Sequence, residues 1–316
     1  MKYIALFLCS IPAIAQVFPV DHARVERRPF AGSVEAMIQQ VGRGPAWVGW
    51  VENTRAGDHG SLCGWNEPRQ TGQMLEGSRQ FAILVRVENG VTGKIKLSSP
   101  ACRLDAGGLR FVWLEGVPAP QSIAWLRSRV SEVEADADIL AVTLHEAHYA
   151  DAALRALTEA GQPEKVREKA VFWIGNMGGK AGAEELRRLL ATDKDAALRK
   201  KITFALSLSK EPEALKTLLD TAKNDKDPAV RGEAVFWLAQ KAGNKQAVAN
   251  AVEDPDRQVK EKAVFALSQL PNHEGVPKLI ELAKSHPDAA VRKKAAFWLG
   301  QSKDPRAVEY FEQVLR

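Results

Sequence analysis

Five stretches of the chain spell one ten-residue phrase: VREKAVFWIG from Val166, LRKKITFALS from Leu198, VRGEAVFWLA from Val230, VKEKAVFALS from Val259 and VRKKAAFWLG from Val291. Their starts lie 32, 32, 29 and 32 residues apart. A period in this range marks units that cannot bury their apolar faces alone, so neighbours must stack into a solenoid. Positions 1, 5, 8 and 9 of the phrase are apolar or small, which is one face of an amphipathic helix. In four of the five phrases an aspartate stands four residues before the basic position 2: Asp195, Asp227, Asp256 and Asp288. A short carboxylate there can accept from the free N–H groups of the first turn, so each reads as a helix N-cap. Pro228 then takes the first helical position, where a missing N–H costs nothing. The first phrase departs, with Pro163 in the aspartate slot.

A second helical pattern lies between phrases, beginning at Ala183, Pro212, Lys245, Glu274 and Arg306. Each unit is therefore helix–turn–helix. The segment ADILAVTLHEAHYADAALRALTEAG reads as a degenerate first repeat or cap over 137–160, and Arg306 to Arg316 as the closing helix. Period, Asp cap, Val-Arg pair and apolar ending recur together, and the pattern resembles the HEAT-repeat family, in the short form also seen in HEAT-like lyase proteins. The resemblance covers roughly residues 137–316. It implies a right-handed all-α solenoid over 131–316, with about five helix pairs, an Arg–Asp ladder between repeats, and first helices lining a concave surface.

Position 7 is phenylalanine in all five phrases: Phe172, Phe204, Phe236, Phe265 and Phe297. At about 100° per residue it falls near −120° from position 1, away from the core face. Two readings stand: an aromatic ladder that grips a partner, or a packing spine between neighbouring first helices. Position 8 alternates Trp173, Ala205, Trp237, Ala266 and Trp298, as core complementarity requires. Position 2 is basic throughout (Arg167, Arg199, Arg231, Lys260, Arg292) and reads as structural pairing. Position 4 adds Lys169, Lys201, Lys262 and Lys294, with Glu233 breaking the run. The net charge of +5 lies wholly in residues 151–316. A basic face could serve nucleic acid, but the export signal described next weighs against it.

The chain opens MKYIALFLCSIPAIA, with a basic start, an apolar stretch and an A-x-A site, the pattern of a secretory signal cleaved after Ala15. This predicts an exported protein, periplasmic or extracellular. No later stretch approaches the roughly 20 apolar residues of a membrane span. The two remaining cysteines, Cys63 and Cys102, form a plausible disulfide in an oxidising compartment. Residues 16–130 read as a small α+β domain preceding the solenoid. Strands are expected over Ala46–Glu52, Phe81–Val87, around Ile95–Leu97 and over Gly107–Val117. The second and third should form a hairpin with a loop longer than two residues, and helices should cover Ser33–Val41 and Gln121–Val130.

No constellation carries chemistry. His145-Glu146 and His273-Glu274 do not recur at equivalent repeat positions, as the His-Glu metal pairs of some HEAT-like enzymes do, and His145 and His148 read as lone surface histidines. Gly178-Gly179 and Gly107-Gly108 read as turns, and no Ser or Cys nucleophile has a suitable context. The sequence thus points to a non-enzymatic scaffold that needs no metal or cofactor and binds a protein or peptide partner. The five phenylalanines supply apolar contact and the four position-4 lysines favour acidic partners. The alternative is an enzyme or enzyme subunit with its site in the N-terminal domain and the repeats docking its substrate or partner.

Overall fold

The computed structural model describes residues 19–55, 79–99, 102–131, 135–242 and 244–315. The expected signal (1–15) and Cys63 lie outside the described residues; Cys102 is buried. By backbone contacts the chain divides into two compact units, meeting between Trp125 and Leu126.

The first unit is α/β. Strands β1 (Val20–Asp21), β2 (Val25–Pro29), β3 (Pro45–Asn53), β4 (Gln80–Glu88), β5 (Val91–Ser98), β6 (Leu104–Asp105) and β7 (Arg110–Glu115) are accompanied by α1 (Val34–Gln39) and the start of α2 (Ala119–Arg129). Five strands form one sheet in the order β2-β7-β3-β4-β5, with β7 parallel to both its neighbours, and β1 pairs with β6 separately. The three central strands are buried on both faces, so their sequences run apolar without clean alternation. One face packs Leu84, Phe111 and Trp113 toward β1 and β6. On the other, Trp50 meets Trp125 edge to face at 5.3 Å and donates to Ser122 Oγ at 2.9 Å.

The four expected strands are present, but the hairpin differs from expectation. Asn89 (φ 53°) and Gly90 (φ 80°) alone make the turn, a two-residue connection that suits the strand twist. The glycine-rich stretch after it is not loop. Val87 pairs with Thr92 while Val85 pairs with Ile95, so Gly93 and Lys94 carry a bulge within β5. Strand β2, VERRP, was not expected: it is polar and half-exposed at the sheet edge and lacks an apolar period.

The second unit is helical: after the end of α2 come α3 (Ala135–Leu144), α4 (Ala147–Thr158), α5 (Glu164–Met177), α6 (Gly179–Thr192), α7 (Ala196–Leu208), α8 (Pro212–Asn224), α9 (Pro228–Ala242), α10 (Lys245–Asn250), α11 (Arg257–Ser268), α12 (Val276–Ser285), α13 (Ala289–Gln301) and α14 (Pro305–Val314). The phrases form α5, α7, α9, α11 and α13, each packing on the next, and α3 packs on α5 in the same way. The segment read as a cap is thus itself a helix pair, α3–α4. Asp195, Asp227, Asp256 and Asp288 each accept from the backbone N–H two residues on, at 2.8 Å, while Pro163 makes no side-chain cap. No described helix is long and apolar enough to cross a membrane.

Val166, Ala170, Ile174 and their equivalents are buried, which confirms the face assigned to positions 1, 5 and 9. Helices α5 and α7 stack closely at Gly175. A Cβ on Gly175 would stand 2.3 Å from the Ala205 carbonyl oxygen, inside any allowed contact and against backbone that cannot swing aside. Alanine elsewhere in a helix gains about 1 kcal/mol over glycine; here overpacking of about 1–3 kcal/mol or more reverses the sign. Gly175→Ala should therefore lower the thermal midpoint, followed by circular dichroism; a rise would show that α5 and α7 do not approach in this way.

Candidate functional site

Position 2 builds a ladder through the array, but its partner is not the cap aspartate. Arg199 Nε and Nη2 donate to both oxygens of Asp225 at 3.0 and 3.1 Å, and Arg231 donates likewise to Asp254 at 2.9 and 2.9 Å. Arg167 pairs with Asp193, and its Nε donates to the Thr158 carbonyl. Each of these carboxylates stands two residues before the cap of the following repeat. Each also accepts that cap residue's backbone N–H, at 2.8–2.9 Å. A third donor of Arg199 reaches the Asp193 and Lys194 carbonyls, and one of Arg231 the Asp225 carbonyl. One guanidinium thus fastens the turn before its own helix to the turn before the next. The structural pairing expected of position 2 is present.

The fourth rung is built differently. Lys260 replaces arginine and lies 3.6 Å from the cap carboxylate of Asp288, because His286 occupies the rung position. His286 Nδ1 accepts the Asp288 N–H at 3.1 Å, so the imidazole keeps the cap bond but offers no pair of acceptors for a guanidinium.

Arg199 and Asp225 are almost fully buried, with side chains 2% and 7% exposed. Removing one partner of such a pair leaves a desolvated charge, typically costing about 3–5 kcal/mol. Arg199→Ala should lower the midpoint by about 10 °C or more, whereas Lys216→Ala, which breaks an exposed pair with Glu213, should shift it little. Equal shifts would remove the rung from its structural role.

The ladder also sets a pH response. Burial, the largest influence on Asp254, raises its pKa, but the hydrogen bonds from Arg231 and the Asp256 N–H outweigh it and hold the carboxyl below its usual value. Its contribution is therefore complete above the ordinary carboxylate range and is lost as pH falls through the lowered value. At the last cap, hydrogen bonds from Arg306 hold Asp304 at about 2. The midpoint gap between the unmodified chain and Asp254→Asn should be widest near neutrality and shrink as pH falls through the lowered value of Asp254; a constant gap would rule the charged rung out.

The position-7 phenylalanines form a continuous line with the position-8 tryptophans. Starting at Trp173, centroid separations are 4.9 Å to Phe172, 6.2 Å to Phe204, 4.7 Å to Trp237 and 4.9 Å to Phe236. They continue at 5.7 Å to Phe265, 4.9 Å to Trp298 and 5.1 Å to Phe297. Own-helix pairs are edge to face, while Phe172–Phe204 and Phe236–Phe265 are stacked, the two offset geometries aromatic rings prefer. Phe172, Phe204, Phe236 and Phe265 are half-buried and Phe297 is exposed. The rings therefore pack along the array, as the packing-spine reading expects, and part of each faces solvent. The Nε1 atoms of Trp173, Trp237 and Trp298 are buried with no hydrogen-bond partner among the described residues, so ring contact holds these side chains in place.

The lysine column runs beside the rings. Lys169 pairs with Asp136 at 2.6 Å, Lys201 with Glu168 at 3.3 Å, and Lys262 with Glu233 at 3.0 Å. Lys262 also lies 4.8 Å above the Phe236 ring. Lys294 has no ion pair among the described residues. Each paired lysine reaches back to an acid on the preceding helix of the column, a pairing that repeat spacing alone does not reveal.

His148 is exposed, but His145, expected at the surface, is fully buried, with Nδ1 2.7 Å from the Ala141 carbonyl oxygen. It falls on the inward side of the α3–α4 junction, which a degenerate repeat conceals. Exposed His273 sits in a 3-10 turn, Pro271–His273. Among the described residues no three His, Cys, Asp or Glu side chains converge as a metal site would require.

A family profile described as HEAT repeats matches residues 151–239 and 244–316, together more than half of the chain. The chain belongs to the HEAT-repeat family. No curated protein matches it significantly. Among solved structures, human deoxyhypusine hydroxylase in complex with glycerol is similar at 20% identity over 52% of this chain, with a TM-score of 0.36; the chain spans 66% of the hydroxylase. The complex of CpcE and CpcF of phycocyanin lyase from Nostoc sp. PCC7120 is similar at 19% identity over 58% of this chain and 76% of that one, with a TM-score of 0.34. A designed armadillo repeat protein in complex with the peptide (KR)4 is similar at 20% identity over 62% of this chain and all of that one, with a TM-score of 0.31. In this HEAT array the guanidinium rungs occupy the turns, and the ring line occupies the first helices.

Proposed function

We propose that the HEAT array is a non-enzymatic scaffold that binds a protein or peptide partner along its aromatic line. The observation that carries the reading is the continuity of eight rings, four of them half-buried phenylalanines in a column that the helix core does not need. A stacked, preorganised apolar strip loses little side-chain freedom on contact, so more of its burial appears as affinity. Lys169, Lys201 and Lys262 beside it are held by surface ion pairs worth about 0–1 kcal/mol each. They can exchange those acids for acidic groups of a partner. In this proposal residues 1–15 are a cleaved signal, the protein is exported to the periplasm or medium, and Cys63 and Cys102 form a disulfide in the mature chain.

The test is binding of a fluorescent apolar probe to the purified protein and to Phe236→Ala with Phe265→Ala. Probe binding should fall at least several-fold, with the midpoint lowered by a few degrees because the two rings also stack. Unchanged probe binding alongside a lowered midpoint would make the line a packing spine only and overturn the reading.

A further inference from the structure

The phenylalanine line is the middle of three rows. Three residues before each phenylalanine stands position 4, a lysine in four of the five repeats. Four residues after it stand Asn176, Leu208, Gln240, Gln269 and Gln301, an amide in four of the five. Leu208 interrupts this row as Glu233 interrupts the lysines. At about 1.5 Å and 100° per residue, the outer rows lie about 10 Å apart along the helices, and both fall within about 60° of the rings. Lysines therefore flank the rings on one side and amides on the other.

The array itself does not use the amides. All four are exposed. Asn176, Gln240 and Gln301 make no hydrogen bond with any described residue, and Gln269 donates only to Ser268 Oγ, at 3.1 Å. Each amide offers both donors and an acceptor. The position-2 arginines, by contrast, spend their donors on the turns of the array.

A free amide row suits a polypeptide whose own backbone groups are unbonded, and the repeat spacing selects its conformation. Packed helices stand about 8–10 Å apart, so each row recurs at about that interval. A β-strand shows the same face every two residues, about 6.8 Å, and falls out of step. An α-helix shows it again after seven residues, about 10.5 Å, but its backbone is already hydrogen-bonded and leaves the amides without a role. A polyproline II helix turns once in three residues and about 9.3 Å, with no internal hydrogen bonds. Its three-fold symmetry gives one face to each row. Prolines pack on aromatic rings, and an acid at every third residue would run along the lysines.

Resting on the scaffold reading above, we propose that the partner segment is a polyproline II helix, rich in proline and carrying an acidic residue at about every third position. Its prolines lie on the rings and its carboxylates on the lysine row. Its carbonyls accept from Asn176, Gln240, Gln269 and Gln301.

Fluorescence anisotropy of labelled (Pro-Pro-Glu)6, about 56 Å long as a polyproline II helix, titrated with the full chain, tests this. It should bind at least about tenfold more tightly than (Gly-Gly-Glu)6, which keeps the charge and its spacing but is not preorganised. It should exceed (Pro-Pro-Lys)6 by a similar factor, because the lysine row repels that peptide. Gln240→Ala with Gln269→Ala should weaken (Pro-Pro-Glu)6 at least about fivefold and leave the thermal midpoint in place, since both side chains are exposed. Equal binding of (Pro-Pro-Glu)6 and (Gly-Gly-Glu)6, or no binding of either, overturns the proposal; if the apolar probe still depends on Phe236 and Phe265, the scaffold reading survives it. Binding of (Pro-Pro-Glu)6 that the glutamine pair does not affect overturns the proposal as well. Probe binding that does not depend on the two phenylalanines overturns both readings.

Discussion

The buried guanidinium–carboxylate rung is the interaction on which the array depends. A single aspartate receives the arginine of one helix and the cap N–H of the next repeat, so the two turns are held at one distance and in one register. Low-dielectric surroundings strengthen both bonds and penalise the loss of either. The apolar face of each helix is tolerant of sliding by comparison, because small and branched aliphatic side chains fit several registers. Hydrophobic burial supplies the drive to stack, and the rung selects which stack forms.

Irregularities in the repeat make sense against this constraint. The third interval is 29 residues rather than 32, and the Arg231–Asp254 separation is 23 residues instead of 26. The deletion falls in the second helix, which shortens to α10 and a 3-10 turn, Ala251–Glu253, while the rung keeps its bidentate geometry. At the fourth rung, arginine and aspartate change together, to Lys260 and His286. A lone lysine charge can use the single carboxylate of the cap, whereas a guanidinium beside an imidazole would lack its second acceptor.

The aromatic line follows from the same spacing. Once the rungs fix the distance between first helices, position 7 of one repeat meets position 7 or 8 of the next. Large and small residues must then alternate at position 8, as Trp173, Ala205, Trp237, Ala266 and Trp298 do. Alanine at the smaller positions is fully buried, and the neighbouring tryptophan rests on the phenylalanine beside it. The strip is therefore a product of packing that also presents ring surface to solvent, and both properties are available to function.

The repeats, their first helices and their aspartate caps were legible from residues alone, because an amphipathic period and a cap are local features of about a dozen residues. So were the four principal strands, and the existence of the phenylalanine, lysine and arginine columns. Partners were not. Asp193, Asp225 and Asp254 look like unremarkable turn acids until the fold carries them to an arginine 23 or 26 residues away. The two-residue turn is not legible because Gly93 belongs to a bulge that only strand pairing defines, and β2 is not because its order comes from β7 rather than from its own composition. The burial of His145 is not legible either, because burial in a divergent repeat depends on what stacks over it. By itself the sequence determined the family, the helical period and the chemistry of each column. The tertiary structure decided which charges are buried and which rings meet, because those properties belong to distances between repeats, and no single repeat contains them.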